Sequence, residues 1–140
     1  MSRVDFYVLS GSGELARQQF ACRLAEKAYR LEHTVHIQVS NRDSVQRIDD
    51  LLWTFRDGSF VPHEVLGSSQ PESPVTIGCN ELPSQDCDLL INLGDSIPDN
   101  VASFPRVAEV VTSDDESKTR SRQRFVVYRD QGHTLDTHKL

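Results

Sequence analysis

The chain has 140 residues, 37% hydrophobic and 26% charged, the proportions of one globular domain, expected here over residues 1–140. Fifteen Lys and Arg against twenty-one Asp and Glu leave a net charge of −6, which disfavours nonspecific binding along nucleic acid, because such binding draws on counterion release by clustered cations. No apolar run approaches the roughly 20 residues of a membrane span, and the opening MSRVDFYVLSGSG lacks the apolar stretch of a signal peptide, so a cytoplasmic protein is expected.

The hydrophobic period switches repeatedly between two and 3.6. Val4 to Leu9 is short, β-branched and aromatic, and stops at Ser-Gly-Ser-Gly: a strand. Leu15 to Leu31 carries Leu15, Phe20, Leu24, Ala28 and Leu31 near helical spacing, with Glu14 in the first turn. Thr34 to Val39 alternates as a second strand, and Asn41 is placed to cap a second helix striped by Val45, Ile48, Leu51 and Leu52 and ending near Trp53. A turn at Asp57-Gly58 leads into an extended segment before Pro62, and Gly67 to Pro74 is a polar loop too short to divide domains. Pro74 to Gly78 and Asp88 to Leu93 read as strands, the second a continuous apolar run suited to a sheet covered on both faces. Val101 to Phe104 predicts a short helix, Val107 to Val111 a fifth strand, and Asp114-Asp115-Glu116 the acidic start of a last helix running to about Tyr128. Five strands interleaved with helices predict a three-layer α/β/α sandwich with a mostly parallel, Rossmann-like sheet.

Motifs for chemistry are sparse. Cys22, Cys79 and Cys87 form no Cys-x-x-Cys pair, and the five histidines form no metal-ligand spacing, so buried thiols and no metal site are expected. No Walker loop, hydrolase elbow or other catalytic constellation is present, and no catalytic residue is assigned. Gly11-x-Gly13-x-x-Ala16 after the first strand matches the dinucleotide fingerprint in its Ala form. Against it, Glu14 would set a carboxylate beside the phosphates and no acid ends the second strand. The two readings are a plain strand-to-helix turn, with no cofactor, and a small dinucleotide-binding oxidoreductase.

Charge becomes informative in the last helix. Residues 118–129 hold five basic residues and no acidic one, in a chain whose other residues are strongly acidic. Lys118 and Arg122 stand one turn apart, followed by Phe125 and Val126, while Arg120 and Arg124 form a second, rotated pair. A basic rail beside an apolar patch suits a short acidic peptide ending in an aromatic residue, although the same cations could simply complement the helix dipole while Phe125 and Tyr128 pack inward. Trp53, the only tryptophan, and Phe60, in a loop before Pro62, are either a lid on the core or anchors for a partner.

Phe6-Tyr7 in the first strand, Leu52-Trp53, Ser59 to His63 (SFVPH), Pro74 to Ile77, Asp88 to Leu93, Glu109 to Val111 and the closing Arg-x-Arg-Phe-x-x-Tyr-Arg helix together resemble the chi subunit of bacterial DNA polymerase III, the HolC family. The resemblance runs over nearly the whole chain. It implies a non-catalytic clamp-loader subunit without a bound cofactor. Such a subunit pairs with the psi subunit and binds the acidic, Phe-terminated tail of single-stranded-DNA-binding protein (SSB), with no direct contact to nucleic acid. It places tail contacts at Lys118, Arg122, Phe125 and Thr137. Val126 stands where the best-known members carry a basic residue, so Arg120 or Arg124 is the candidate for the missing charge, and Val111 a candidate wall for the tail's Phe ring. The psi-facing residues it implies are Trp53 and Phe60, with the adjoining Val61 and Pro62. A helicase-type repair partner would share that face.

Overall fold

The computed structural model describes residues 2–55, 57–58, 60–66, 73–79, 87–99 and 101–140. Along the chain these form β1 (Arg3–Val8), α1 (Glu14–Arg30), β2 (Val35–Gln38), α2 (Arg42–Thr54), β3 (His63–Val65), β4 (Val75–Gly78), β5 (Leu89–Asn92), a 3-10 turn (Val101–Ser103), β6 (Arg106–Val111), α3 (Asp115–Asp130) and β7 (Thr134–Lys139). One sheet runs β3-β4-β2-β5-β6-β1-β7, and every neighbouring pair in it is parallel. Parallel pairing requires a crossover between strands. α1 carries the chain from β1 across to β2 on one face, and α3 carries it from β6 past β1 to β7 on the other.

The residue types explain the packing. α1 turns Ala21, Cys22, Ala25 and Ala28 to the sheet, and α2 contributes Val45, Ile48 and Leu52, at helical spacing. Both meet Val35, Ile37, Val75, Ile77 and Ile91 from the central strands. All three thiols are buried and free, and burial pushes the Cys22 thiol up to about 12. Asn41 caps α2, its Oδ1 accepting from the Ser44 amide at 2.8 Å, which satisfies one of the helix's orphan donors. The opposite face is smaller. Val4, Phe6, Leu90, Val107 and Val111 pack there against Phe104 and the ring of Tyr128.

The sheet has seven strands rather than about five. β3 is three residues long, follows Pro62 and is half-exposed, while β7 reads Thr-Leu-Asp-Thr-His-Lys and buries no residue fully. Both are edge strands. An edge strand takes its conformation from the neighbour it pairs with, so neither shows the apolar run that betrays an inner strand. Of the sequence readings, Ser59 and residues 67–72 of the polar loop lie outside the described residues. No described helix is long and apolar enough to cross a membrane.

Candidate partner-binding surfaces

α3 decides which of its cations face solvent. Asp114 caps it, accepting from the Ser117 amide at 3.3 Å and from the Thr112 hydroxyl; these bonds, the Thr112 bond foremost, hold its carboxyl below the usual range. Further along, Tyr128 is fully buried and Arg124 nearly so. Arg124 Nη1 donates to Glu109 Oε1 at 2.6 Å and its Nη2 to the Gly94 carbonyl at 2.7 Å. Glu109 Oε2 accepts from the Tyr128 hydroxyl at 2.6 Å and from Asn92 Nδ2 at 2.8 Å. Burial and the Glu109 carboxylate push the Tyr128 hydroxyl far up. The expectation that Arg124 shares the exposed rail is therefore corrected: a carboxylate on a buried strand needs a counter-charge, and Arg124 is turned inward to supply it. Arg120 is half-buried at the crevice beside β6 and pairs with Glu116 at 3.1 Å.

Lys118 and Arg122 remain exposed, and neither forms an ion pair among the described residues. At the next turn Phe125 lies half-buried with its ring 5.6 Å from that of Phe6, and Val126 is 43% exposed beside it. Thr137 is the register partner of Phe6 on β7, so it lies exposed on the same sheet face as the Phe6 ring that Phe125 covers. The structure thus gathers Lys118, Arg122, Phe125, Val126 and Thr137 along the α3–β7 margin. Val111 is not with them at the surface; it is buried in the core beneath α3.

The second surface lies at the other edge of the sheet. Trp53 and Phe60 are 56% and 63% exposed, with ring centroids 5.8 Å apart, so they are surface groups and not a lid on the core. Beneath them the His63 ring lies 4.8 Å from Trp53. Its Nδ1 donates to the Val61 carbonyl at 2.6 Å and its Nε2 stands 3.1 Å from the Asp49 carboxylate. Pro62 is half-buried, and Val61 is buried, a correction to its expected place on the surface: it props the loop from below. Six strand spacings of about 4.8 Å put this surface some 29 Å from the α3–β7 margin.

Between α1 and α3, at the carboxyl ends of β1 and β6, is a polar cleft of about 200 Å³, the usual ligand position in doubly wound sheets. Here the Gly11-x-Gly13-x-x-Ala16 segment meets the chain's own acids. Gly13 begins α1 with φ 91°, and its backbone amide bonds the Asp114 carboxylate. Glu14 is clamped by Arg17 at 3.1 Å from both its oxygens. A Cβ on Gly11 would meet Ala16 at an ordinary 3.8 Å, so that glycine is not there for a close approach. Nothing in this arrangement supports the dinucleotide reading. Sequence reasoning missed Glu109 as the centre of a network; the one clue was an acid within the otherwise apolar run of β6.

The fold is an open, all-parallel α/β domain with exposed side-chain clusters at its two sheet edges. The family model for the DNA polymerase III chi subunit, HolC, matches residues 1–136. The chain is 41% identical to the DNA polymerase III subunit chi of Pseudomonas aeruginosa over 140 residues, covering 100% of this chain and 98% of that one. It is 34% identical to the Haemophilus influenzae subunit chi, over 97% and 96% of the two chains, and 31% identical to that of Escherichia coli, over 98% and 97%. The chain belongs to the DNA polymerase III chi subunit family. Among solved structures, T4 UvsW superposes with a TM-score of 0.67 at 6% identity, over 99% of this chain and 41% of that one, a likeness of fold alone.

Proposed function

We propose that this chain is a non-catalytic, cytoplasmic adaptor of the bacterial clamp loader that needs no cofactor and holds the acidic, Phe-terminated tail of SSB at the α3–β7 margin. The observation that carries this reading is the pair of exposed cations Lys118 and Arg122, without an ion-pair partner among the described residues, the second of them one turn from the tilted Phe125–Phe6 ring contact. Arg122 would bind the terminal carboxylate by charge-assisted hydrogen bonds, Lys118 the upstream acids, and Phe125 with Val126 the terminal ring, with Thr137 at the strand side. Arg120, already paired with Glu116, adds field rather than a contact, and Arg124 holds the helix that presents the site. So short a contact is expected to be micromolar, salt-sensitive and reinforced by the several tails of one SSB assembly.

The second surface, Trp53 and Phe60 with the adjoining Pro62 and the buried Val61, is assigned to the psi subunit, and a helicase-type repair partner would compete for it. Two surfaces at opposite sheet edges let the chain hold both partners at once, linking the polymerase to SSB-coated template without touching the nucleic acid itself. Fluorescence anisotropy of a labelled SSB-tail peptide, titrated with wild type and Arg122→Ala, tests the first assignment, with a peptide lacking its terminal Phe as control. Loss of a charge-assisted bond worth about 1.5–3 kcal/mol is a weakening of at least tenfold. Unchanged affinity, or equal binding of the truncated peptide, would sink the assignment.

A further inference from the structure

On the face that α1 and α2 cover, the described helices reach the strip formed by β1 and β7 only at its inner rim, where α1 sets Phe20 against Tyr7. α1 packs over β2, β5 and β6, and α2 over β3 and β4. Parallel sheets are ordinarily buried on both faces, so this strip lacks a layer. Its floor is aromatic: Tyr7 stacks on its register partner His138, with centroids 5.0 Å apart and planes within 18°, and meets Phe20 of α1 at 5.3 Å. Two depressions flank α1 on its β1 side: one of about 260 Å³ runs from Tyr7 and Leu24 to the starts of β5 and β6 at Leu89 and Arg106, and one of about 320 Å³ lies beside Leu9, Phe20 and Leu140. Leu31 and Leu140, each 61% exposed, mark the two ends.

The charge along this trough is asymmetric. On the α1 rim Arg23 and Lys27 stand one turn apart, exposed, and neither has a carboxylate partner among the described residues. Like charges at that spacing repel, and among the described residues Arg23 meets only the Phe20 ring, at 5.9 Å. The carboxylates nearby are already engaged. Asp5 is held by Arg106 at 2.8 Å, by His138 at 2.9 Å and by Arg3, which also takes Asp136 at 2.8 Å. At the lower mouth Asp88 accepts from the Thr34 amide.

We propose that the trough along the β1 side of α1 is a docking site for an acidic amphipathic helix of a partner protein, which supplies the missing layer. α1, at 17 residues, is about 25 Å long, so a partner helix of similar length fills it. The apolar stripe of that helix meets Tyr7, Phe20 and Leu24, and its acids meet Arg23 and Lys27. Single-stranded nucleic acid fits less well, because Tyr7 has already spent a ring face on His138 and the chain carries a net charge of −6. The site lies on the opposite sheet face from the α3–β7 margin and does not depend on the SSB reading.

The test uses the full chain and a fluorescent 18-residue peptide with Leu at helical spacing and Glu on both flanks. A scrambled peptide of equal composition and an oligo(dT) strand serve as controls. Expected are micromolar binding with a gain in peptide helicity, at least a tenfold loss in the Arg23→Glu/Lys27→Glu variant, and no loss in Arg122→Ala. Both substituted residues are exposed, and thermal melting of the double variant within a few degrees of wild type shows that it folds. No binding, equal binding of the scrambled peptide, indifference to the charge reversal, displacement by oligo(dT), or self-association of the chain through this face would each overturn the proposal.

Discussion

Replacing Arg124 with Ala separates a buried, structural cation from the exposed ones of the same helix. Its guanidinium is 8% exposed and bonds Glu109, itself 4% exposed, at 2.6 Å. Removing it strands a carboxylate that keeps, among the described residues, Tyr128 and Asn92 as donors. Breaking a buried pair from one side costs about 3–5 kcal/mol. Unfolding entropy of about 2.1 cal/mol/K per residue gives roughly 0.3 kcal/mol/K for a domain of this length, so Tm is expected to fall by about 10–17 °C. Arg122→Ala, on the exposed side of the same helix, should shift Tm by less than about 2 °C. The double variant Glu109→Gln/Arg124→Met removes both charges and should recover about 2 kcal/mol relative to Arg124→Ala. Thermal melts and urea titrations followed by circular dichroism at pH 7 read all three. A Tm loss under about 3 °C for Arg124→Ala, or no recovery in the double variant, would refute Arg124 as the counter-ion of Glu109.

Asp5 gives a pH dependence. Burial alone raises its pKa, but the bonds from Arg106, His138 and Arg3 outweigh that and hold it below the ordinary value. A depressed folded pKa means stability that is present above the unfolded pKa of about 3.9 and is lost as pH falls through the folded value. Asp5→Asn should therefore destabilise by about 1.5–3 kcal/mol at pH 7, with the gap to wild type closing in acid; a gap that stays constant in melts from pH 7 down to pH 3 contradicts this. Asn41→Ala removes the acceptor of the Ser44 amide and should cost about 1 kcal/mol, or about 3 °C in Tm; an unshifted melt would mean the cap is redundant. Phe60→Ala truncates a ring that is 63% exposed, so its Tm should stay within about 2 °C of wild type while calorimetry with the psi subunit shows at least a tenfold loss, as for an aromatic anchor; retained affinity would place psi elsewhere.

Much of this molecule was written in local pattern. The alternation of strand and helix, the central strands, the Asn41 cap and the acidic start of α3 are set by residues within a few positions of one another, where periodicity and capping chemistry act. The basic character of α3 is legible in the same way. What the chain could not state by itself is which of those cations reaches solvent. Arg124 is turned inward because Glu109, fifteen residues earlier, is carried by β6 into the floor beneath α3, and that meeting exists only once the sheet is assembled. β3 and β7 are strands because β4 and β1 supply their partners, and Thr137 reaches the α3–β7 margin only through β7. Trp53 and Phe60 read equally as core or surface, since their exposure depends on whether Val61 and His63 fill the space beneath them first. Sequence determines what each segment can become, and long-range packing decides which side chains are left facing outward, because burial is a property of neighbours that the chain brings together only on folding.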